Sequence, residues 1–480
     1  MRTDAAVAQM RSPGTPSSPG RTVHYGAVVN WSFAVFVFCG AVAIVEPSPY
    51  DFASLAAIPI WFLGGFRIHR CVIPFFALIF FYNLGGFIGL IPYLNEPDPT
   101  LFMEQSLYLA VTTLVFALFF AEDTERRTEL CLKFYAASTV AAALCGIVGY
   151  FDIGGLGEMF SRYGRASGTF KDPNVLGSYL IMGAVYYIQV LMLGRTRHVA
   201  TTVLSLLVVV AGIFLSFSRG SWGAFMVATL LTIGLGFATS ADSKLRRRIV
   251  AASLAAAAVA VLVVCVLLAF EHTRDFFLQR AAIEQDYDEG PTGRFGNQLR
   301  SIPMLLDSLN GFGPLRFRLI FGLEPHNSYI NAFASYGWLG GFAFLLLVGL
   351  TCYVGFRVAW RPSPYRRAAQ VFWPSLLVFL LQGFQIDIDH WRHVFLMLGA
   401  VWGIETARVR WLESGGAPSM GPLVGFGSRA LEHGPDRPLS GPASVAPAVP
   451  ADSRQSNAFR PSVWPGRLAP GRAAGRDRCG

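Results

Sequence analysis

The sequence predicts an all-α, polytopic integral membrane protein with about twelve transmembrane helices. Three observations carry that class. Of 480 residues, 53% are hydrophobic and only 14% are charged, against roughly 25% charge in soluble globular chains, and the mean hydropathy is +0.46. The apolar residues form continuous runs of bilayer length rather than the alternating pattern of a membrane β-barrel. The basic residues fall in short clusters between those runs. The net charge of +9 therefore reads as a set of topology signals and not as a nucleic-acid surface, which needs one basic face.

A helix rises about 1.5 Å per residue, so about 20 apolar residues cross about 30 Å of hydrocarbon. Segments near 27–45, 51–66, 71–93, 104–121, 131–151, 174–194, 199–216, 221–239, 249–270, 328–356, 369–385 and 392–410 meet or approach that length. The second, seventh and eleventh are short, which leaves ten or eleven spans as the alternative.

Lys and Arg near helix ends collect on the cytoplasmic side and so test the count. With a cytoplasmic N-terminus, the even-numbered connections carry Arg67 and Arg70, Arg126 and Arg127, Arg195 and Arg197, Lys244 with Arg246 to Arg248, and Arg357, Arg361, Arg366 and Arg367. The opposite loops at 46–50 and 94–103 have neither Lys nor Arg. Both termini are then expected in the cytoplasm. Residues 1–24 read as a disordered cytoplasmic leader, because no small-residue cleavage site accompanies the first apolar stretch. Residues 25–410 read as the transmembrane domain. Residues 411–480, rich in Pro, Gly, Ala and Arg without apolar period, read as a disordered basic cytoplasmic tail that at most touches membrane lipids. The seven cysteines show no CxxC or metal-ligand spacing, and neither disulfide framework nor zinc is expected.

The only long connection, about 271–325, falls on the outer side in this topology. Loops of that length are functional or disordered. Apolar residues at Phe276, Phe277, Ala281 and Ile283, and at Ile302, Leu305, Leu306 and Leu309, have helical spacing and predict two short helices at the membrane surface.

The outer basic residues are few and nearly all Arg. Arg162 and Arg165 lie in one loop, Arg219 in the tight junction Ser216-Phe-Ser-Arg219-Gly220, and Arg274, Arg280, Arg294, Arg300, Arg316 and Arg318 in the long loop. The guanidinium is a rigid donor fork that never deprotonates and binds phosphate oxygens in pairs, so a pyrophosphate is the natural ligand. Snorkelling to lipid headgroups is the competing explanation for any single Arg, and it fits Arg219 least, since that junction is too short to leave the membrane boundary. At the end of the long loop stands Pro325-His326-Asn327-Ser328-Tyr329. His titrates near neutral pH and could take a proton from an acceptor hydroxyl, although a lone His at a helix start also serves as a cap. Gly337 and Gly340 downstream would let that helix bend or pack closely. A further polar stretch, Gln385-Ile-Asp387-Ile-Asp389-His390-Trp391-Arg392-His393, lies between the last two helices. Asp-Arg and Asp-His pairing that anchors the helix ends is the favoured reading, with a metal or proton site as the alternative.

His326-Asn327, nine residues, Gly337, two residues, Gly340 resembles the His-[Asn/Ser/Gln]-x9-Gly-x2-Gly motif of the O-antigen ligase and polymerase superfamily. Arg165-Ala-Ser-Gly-Thr-Phe-Lys-Asp-Pro173-Asn174, Ser218-Arg219-Gly220, Thr-Gly-Arg294 and Gly311-Phe-Gly313-Pro314 are similar to other elements of that family, in the same order, over roughly residues 160 to 345. One position departs: Gln298 stands where the family often has a Trp.

The resemblance implies a GT-C-like, metal-independent glycosyltransferase of the bacterial inner membrane with a large periplasmic loop and no cofactor. It implies a donor glycan on undecaprenyl pyrophosphate and, as acceptor, a glycan or lipid A core, with other polysaccharide-assembly proteins as possible partners and no nucleic acid. By the same resemblance His326, Arg219 and Arg294 are the candidate catalytic residues. Arg162, Arg165, Asn327, Arg300, Asp389 and Arg392 are the candidate substrate contacts. The rival class is a multi-spanning transporter or flippase of lipid-linked oligosaccharide, and a non-catalytic assembly scaffold is a third. Transporters place charge near the membrane midplane, whereas here the unusual polar residues map to helix ends.

Overall fold

A computed structural model describes residues 25–281, 290 and 293–416. The leader 1–24, Ile283 and the tail from 417 onward, all assigned above from sequence, lie outside the described residues. The helices are α1 (Tyr25–Cys39), α2 (Pro49–Leu63), α3 (Ile73–Leu90), α4 (Pro97–Ala121), α5 (Thr124–Tyr150), α6 (Gly157–Phe160), α7 (Pro173–Leu193), α8 (Val199–Leu215), α9 (Arg219–Ala238), α10 (Ser243–Leu268), α11 (Glu271–Ala281), α12 (Arg294–Leu306), α13 (Phe317–Phe321), α14 (Ser328–Trp360), α15 (Arg366–Gln382) and α16 (Arg392–Glu413).

Each of the twelve apolar segments is one helix. Seven helices among the described residues, α3 (with its flanking 3₁₀ turns), α4, α5, α7, α9, α10 and α14, are long and apolar enough to cross a bilayer. The chain is a multi-pass membrane protein. The remaining five segments are marginal for physical reasons. α1 and α2 have 15 residues and α8 and α15 have 17, or about 22–26 Å at about 1.5 Å per residue. α16 is 22 residues long but carries Glu405, Arg408, Arg410 and Glu413. α1 stops six residues earlier than its apolar run, because the chain turns at Gly40 and the Ala43 N–H donates to the Thr169 carbonyl at 2.9 Å. The long connection holds three short helices, α11, α12 and α13, rather than two. The five-residue α13 is too brief to show a period and ends at Gly322, whose φ of 79° closes the turn. A two-residue hairpin, β1 (Ser161–Arg162) paired antiparallel with β2 (Arg165–Ala166), is the one strand pair among the described residues and was not expected.

α3 packs along α14 and α4 along α16. The first pair approaches closely because a Cβ on Gly340 would stand 3.0 Å from the Tyr82 carbonyl oxygen, and one on Gly85 would overlap the Gly340 backbone nitrogen at 2.6 Å. α10 keeps only 6% of its most apolar window buried, as a lipid-facing helix should. The loops expected to share a side also share an end. Arg70 meets Glu413, Arg410 meets Glu122, and Arg367 reaches Ser240 at the basic end. Residues 40–48, 161–172, 216–219, the described parts of the long connection and 383–391 gather at the other, joined by bonds such as Ala43 to Thr169, Arg165 to Ser216 and Arg294 to Gln385.

Candidate active site

α8 and α9 are joined by three residues, Ser216 to Ser218, with Phe217 buried at a φ of 45°. That sharp turn is tied from three sides. Arg165 of β2, 7% exposed, donates through Nε to the Ser216 carbonyl and through a terminal nitrogen to Asn174 Oδ1, both at 2.7 Å. The Ser218 hydroxyl caps α9 by accepting from the Ser221 N–H, and Ser221 joins Ser178, whose hydroxyl donates to Gln382 Oε1 at 3.0 Å. Arg219 thereby becomes the first residue of α9.

α12 begins in the same way, with Arg294 as its first residue and Gly293 as its N-cap. Arg294 donates to the Gln385 carbonyl at 3.1 Å and lies 4.7 Å over the Phe295 ring. On the other side of that loop, a Cβ on Gly220 would be 3.5 Å from Gln382 Nε2 and 4.0 Å from Gln385 Oε1. The residues at 382–385 are therefore flanked by both arginine-bearing helix starts. Gln298, one turn into α12, donates to the Pro325 carbonyl at 2.8 Å and so fastens α12 to the segment holding His326.

His326 sits in the left-handed region at φ 45°, immediately before the α14 N-cap. Asn327 is that cap: its side-chain oxygen accepts from the Tyr329 and Ile330 N–H groups at 3.0 and 3.1 Å. The two oxygens of Asp387 accept from the backbone N–H groups of His326 and Asn327 at 3.1 and 3.0 Å. The ring follows, with His326 Nδ1 3.6 Å from Asp387 Oδ2 and 45% of the His side chain exposed. Burial, then the neighbouring Asp389 and Glu324 charges, push the Asp387 carboxyl well above the usual carboxylate range, while the two backbone N–H groups pull the other way. α14 is further joined to this loop through the Ser328 N–H, which donates to the Gly383 carbonyl at 2.7 Å.

The two motif glycines earn their places in α14. Gly337 has φ 65° and ψ −171°, which breaks the helix, and a Cβ there would meet Asn310 backbone atoms at 2.8–2.9 Å. The break leaves the Ala334 carbonyl without its usual Trp338 donor. The Phe312 and Gly313 N–H groups fill it at 2.8 and 3.0 Å, and the Trp338 N–H donates instead to the Leu309 carbonyl at 2.9 Å. The end of the long connection is thus hydrogen-bonded into the kink of α14.

The 385–393 stretch divides its work. Asp387 holds the His326 turn. Asp389, 7% exposed, accepts from Asn331 Nδ2 at 2.7 Å and lies 3.5 Å from His390 Nδ1. Arg392 is paired with Asp51 of α2 at 3.0 Å. The two carboxylates have different partners, and no group of three or more metal-ligating side chains occurs among the described residues.

Residues 203–345 match the model of the O-antigen ligase family. The match spans 143 of the 480 residues, and over that span the chain is similar to the O-antigen ligase and polymerase superfamily. No curated protein matches it. That similarity indicates O-antigen ligase- or polymerase-type activity, which implies lipid-linked glycan and acceptor glycan as substrates. The matched span includes Arg219, Arg294, Arg300, His326 and Asn327, and leaves Arg162, Arg165, Asp389 and Arg392 outside.

The structure gathers Arg219, Arg294 and His326 around residues 382–387, with Arg165 and Asn327 as buried supports of that frame. Arg162 is exposed on β1. Arg300 is exposed on α12 and lies 5.8 Å over the Phe321 ring. Asp389 and Arg392 are engaged with Asn331 and Asp51. Sequence reasoning did not single out Gln298, Gln382, Gln385 or Asp387 as site residues. Gln385 and Asp387 stood in the polar 385–393 stretch and Gln298 at the position where the family often has a Trp, but neither signal shows what these side chains hold, and Gln382 had none beyond its polarity at a helix end. Three helix starts, those of α9, α12 and α14, meet this one loop. Each start carries partial positive charge, so stability alone would disfavour Arg there. Arginine at a helix start joins two features that can each bind an anion, the guanidinium fork and the helix N-terminus.

Proposed function

We propose that the protein transfers a glycan from undecaprenyl pyrophosphate to an acceptor sugar at the periplasmic face of the bacterial inner membrane, with both termini in the cytoplasm. The observation that carries this reading is the meeting of Arg219, Arg294 and His326 around the 382–387 loop. Arg219 and Arg294 bind the pyrophosphate, and His326 faces the acceptor hydroxyl. With its Nδ1 turned to Asp387, the ring presents Nε2 as the proton acceptor. The acceptor oxygen attacks the anomeric carbon, the bond from that carbon to the phosphate oxygen breaks, and the electron pair leaves with the pyrophosphate. The acceptor proton passes to His326 Nε2, and the anomeric configuration inverts. Arg219 and Arg294, already fixed by the helix starts, stabilise the charge that develops on the leaving group. Twelve spans and a GT-C-like arrangement belong to the same proposal, as does action without a metal.

Among chain extension, ligation to lipid A core and transfer to a protein hydroxyl we favour extension of O-antigen or exopolysaccharide, because the Asp389-His-Trp-Arg-His393 stretch resembles that of some exopolysaccharide-polymerase-like relatives. The test replaces the gene by His326→Ala or Arg219→Ala, confirms the membrane level by blotting, and examines surface polysaccharide. Loss of long chains with single repeat units left on lipid A core identifies a polymerase. Accumulated lipid-linked chains with a bare core identify a ligase. Normal glycan from both stable variants would refute the assignment and return the transporter reading.

A further inference from the structure

At the end of the 383–391 loop that follows Asp387 lies a cavity of about 210 Å³, where residues 40–46, α4, the start of α7 and His390–His393 meet. Tyr108 and Trp391 offer it aromatic faces, and Gln105, Lys171 and Arg392 offer polar groups. The charged groups are held in place: Lys171 Nζ is 2.8 Å from Glu46 Oε1, and Arg392 is fixed by Asp51. His393 also lines the cavity, with 6% exposure and its ring 5.3 Å from that of Trp391. Its Nε2 has no hydrogen-bond partner, a state that buried polar atoms rarely keep.

At about 30 Å³ per water, such a void takes about seven waters, which suits one sugar ring and not an oligosaccharide. Its walls combine flat apolar faces with fixed polar groups, matching the C–H face and the hydroxyl edge of a pyranose. A lipid tail would strand the charges. Trp391 follows Asp387 by four residues, a chain distance of at most about 14 Å, so a glycan whose end lies at His326 can place a later sugar there.

We propose that this cavity binds a sugar ring of the acceptor glycan, remote from the reacting hydroxyl; the inference rests on the transferase reading above. It makes the cavity a subsite that selects extended acceptors over single sugars, using contacts away from the reacting centre.

The test uses the purified full chain in detergent with its lipid-linked donor, and the cell's own surface glycan trimmed to one sugar or to several as acceptor. Gln105→Ala and Lys171→Ala should each raise KM for the longer acceptor about tenfold, the loss of roughly one good polar contact. The donor KM, kcat and the single-sugar acceptor should not change. Equal effects on both acceptors, or none, overturn the subsite. If the unaltered chain transfers nothing to either acceptor, the transferase reading fails instead, and saturation-transfer NMR with the same glycans decides the cavity. A signal lost in both variants supports sugar binding, and absence of signal refutes it.

Discussion

The two ends of the helical bundle use arginine in opposite ways. At the basic end Arg357 and Arg408 close on the buried Glu405, Arg410 bonds Glu122 and the Ala121 carbonyl, and Arg70 with His69 meets Glu413. Most of these cations belong to the later parts of helices, where positive charge complements the helix dipole. At the other end Arg392 pairs with Asp51 and Arg318 with Asp98, but Arg219 and Arg294 open their helices, against the dipole, and two carboxylates near them serve backbone: Asp387 takes two N–H groups and Asp172 caps α7. The basic end pairs its arginines with carboxylates late in helices, while the other end places two arginines at helix starts, where the proposed pyrophosphate would lie.

That contrast can be broken by substitution. The largest effect is expected from Arg219→Ala or Arg294→Ala, each lowering the transfer rate about a hundredfold or more, as loss of a preorganised donor to a developing anion does. Arg219→Lys should recover only part of it, since a point charge lacks the fork. A rate assay with purified lipid-linked donor checks both. His326→Ala should cost about a hundredfold in kcat with donor binding retained, measured by separating donor KM from kcat.

Asp387→Asn sharpens the picture further. Its side-chain oxygen can still accept one backbone N–H, but the second oxygen, which takes the other N–H beside the imidazole, is lost as an acceptor, so activity should fall about tenfold, on the order of one hydrogen bond. Stability should move the other way. Asp387 is raised above its ordinary range, so the folded state binds that proton more tightly than the unfolded chain. Its contribution to stability is therefore full below the ordinary carboxylate range and is lost as pH rises through the raised value. Melting temperatures followed against pH should show that decline in the native chain and not in the Asn variant. Gln298→Ala should cost about 1–3 kcal/mol by leaving the Pro325 carbonyl unpaired, read from the melting temperature in detergent. Arg410→Ala at the basic end is the smallest, about 1 kcal/mol or less for a partly exposed pair, with transfer unchanged. A catalytic loss there equal to that of Arg219→Ala would erase the distinction between the ends.

Much of this molecule was legible in its sequence because membranes impose a simple rule. Every one of the twelve apolar runs became a helix, since no other element satisfies the backbone of so apolar a chain. The basic loops gathered at one end, and Gly337 and Gly340 marked a break and a close approach. Helix ends were less legible. α1 stops at Cys39 because a hydrogen bond from Ala43 to Thr169 draws the chain away, a partner more than a hundred residues distant. α13 appears without any periodic signal.

The site divides along the same line. Composition and residue order determined which residues carry unusual chemistry: Arg219 in its tight junction, Arg294 in the long connection, His326 before its Asn cap. Only the tertiary structure decided that Arg165 and Asn327 are buried supports, that Gln298 fastens the long connection to the His326 segment, and that residues 382–387 bring three helix starts together. Residue type and local spacing report what a side chain can do. Which backbone carbonyl it finds 91 residues away, as Arg294 finds Gln385, depends on helix packing that no local pattern encodes.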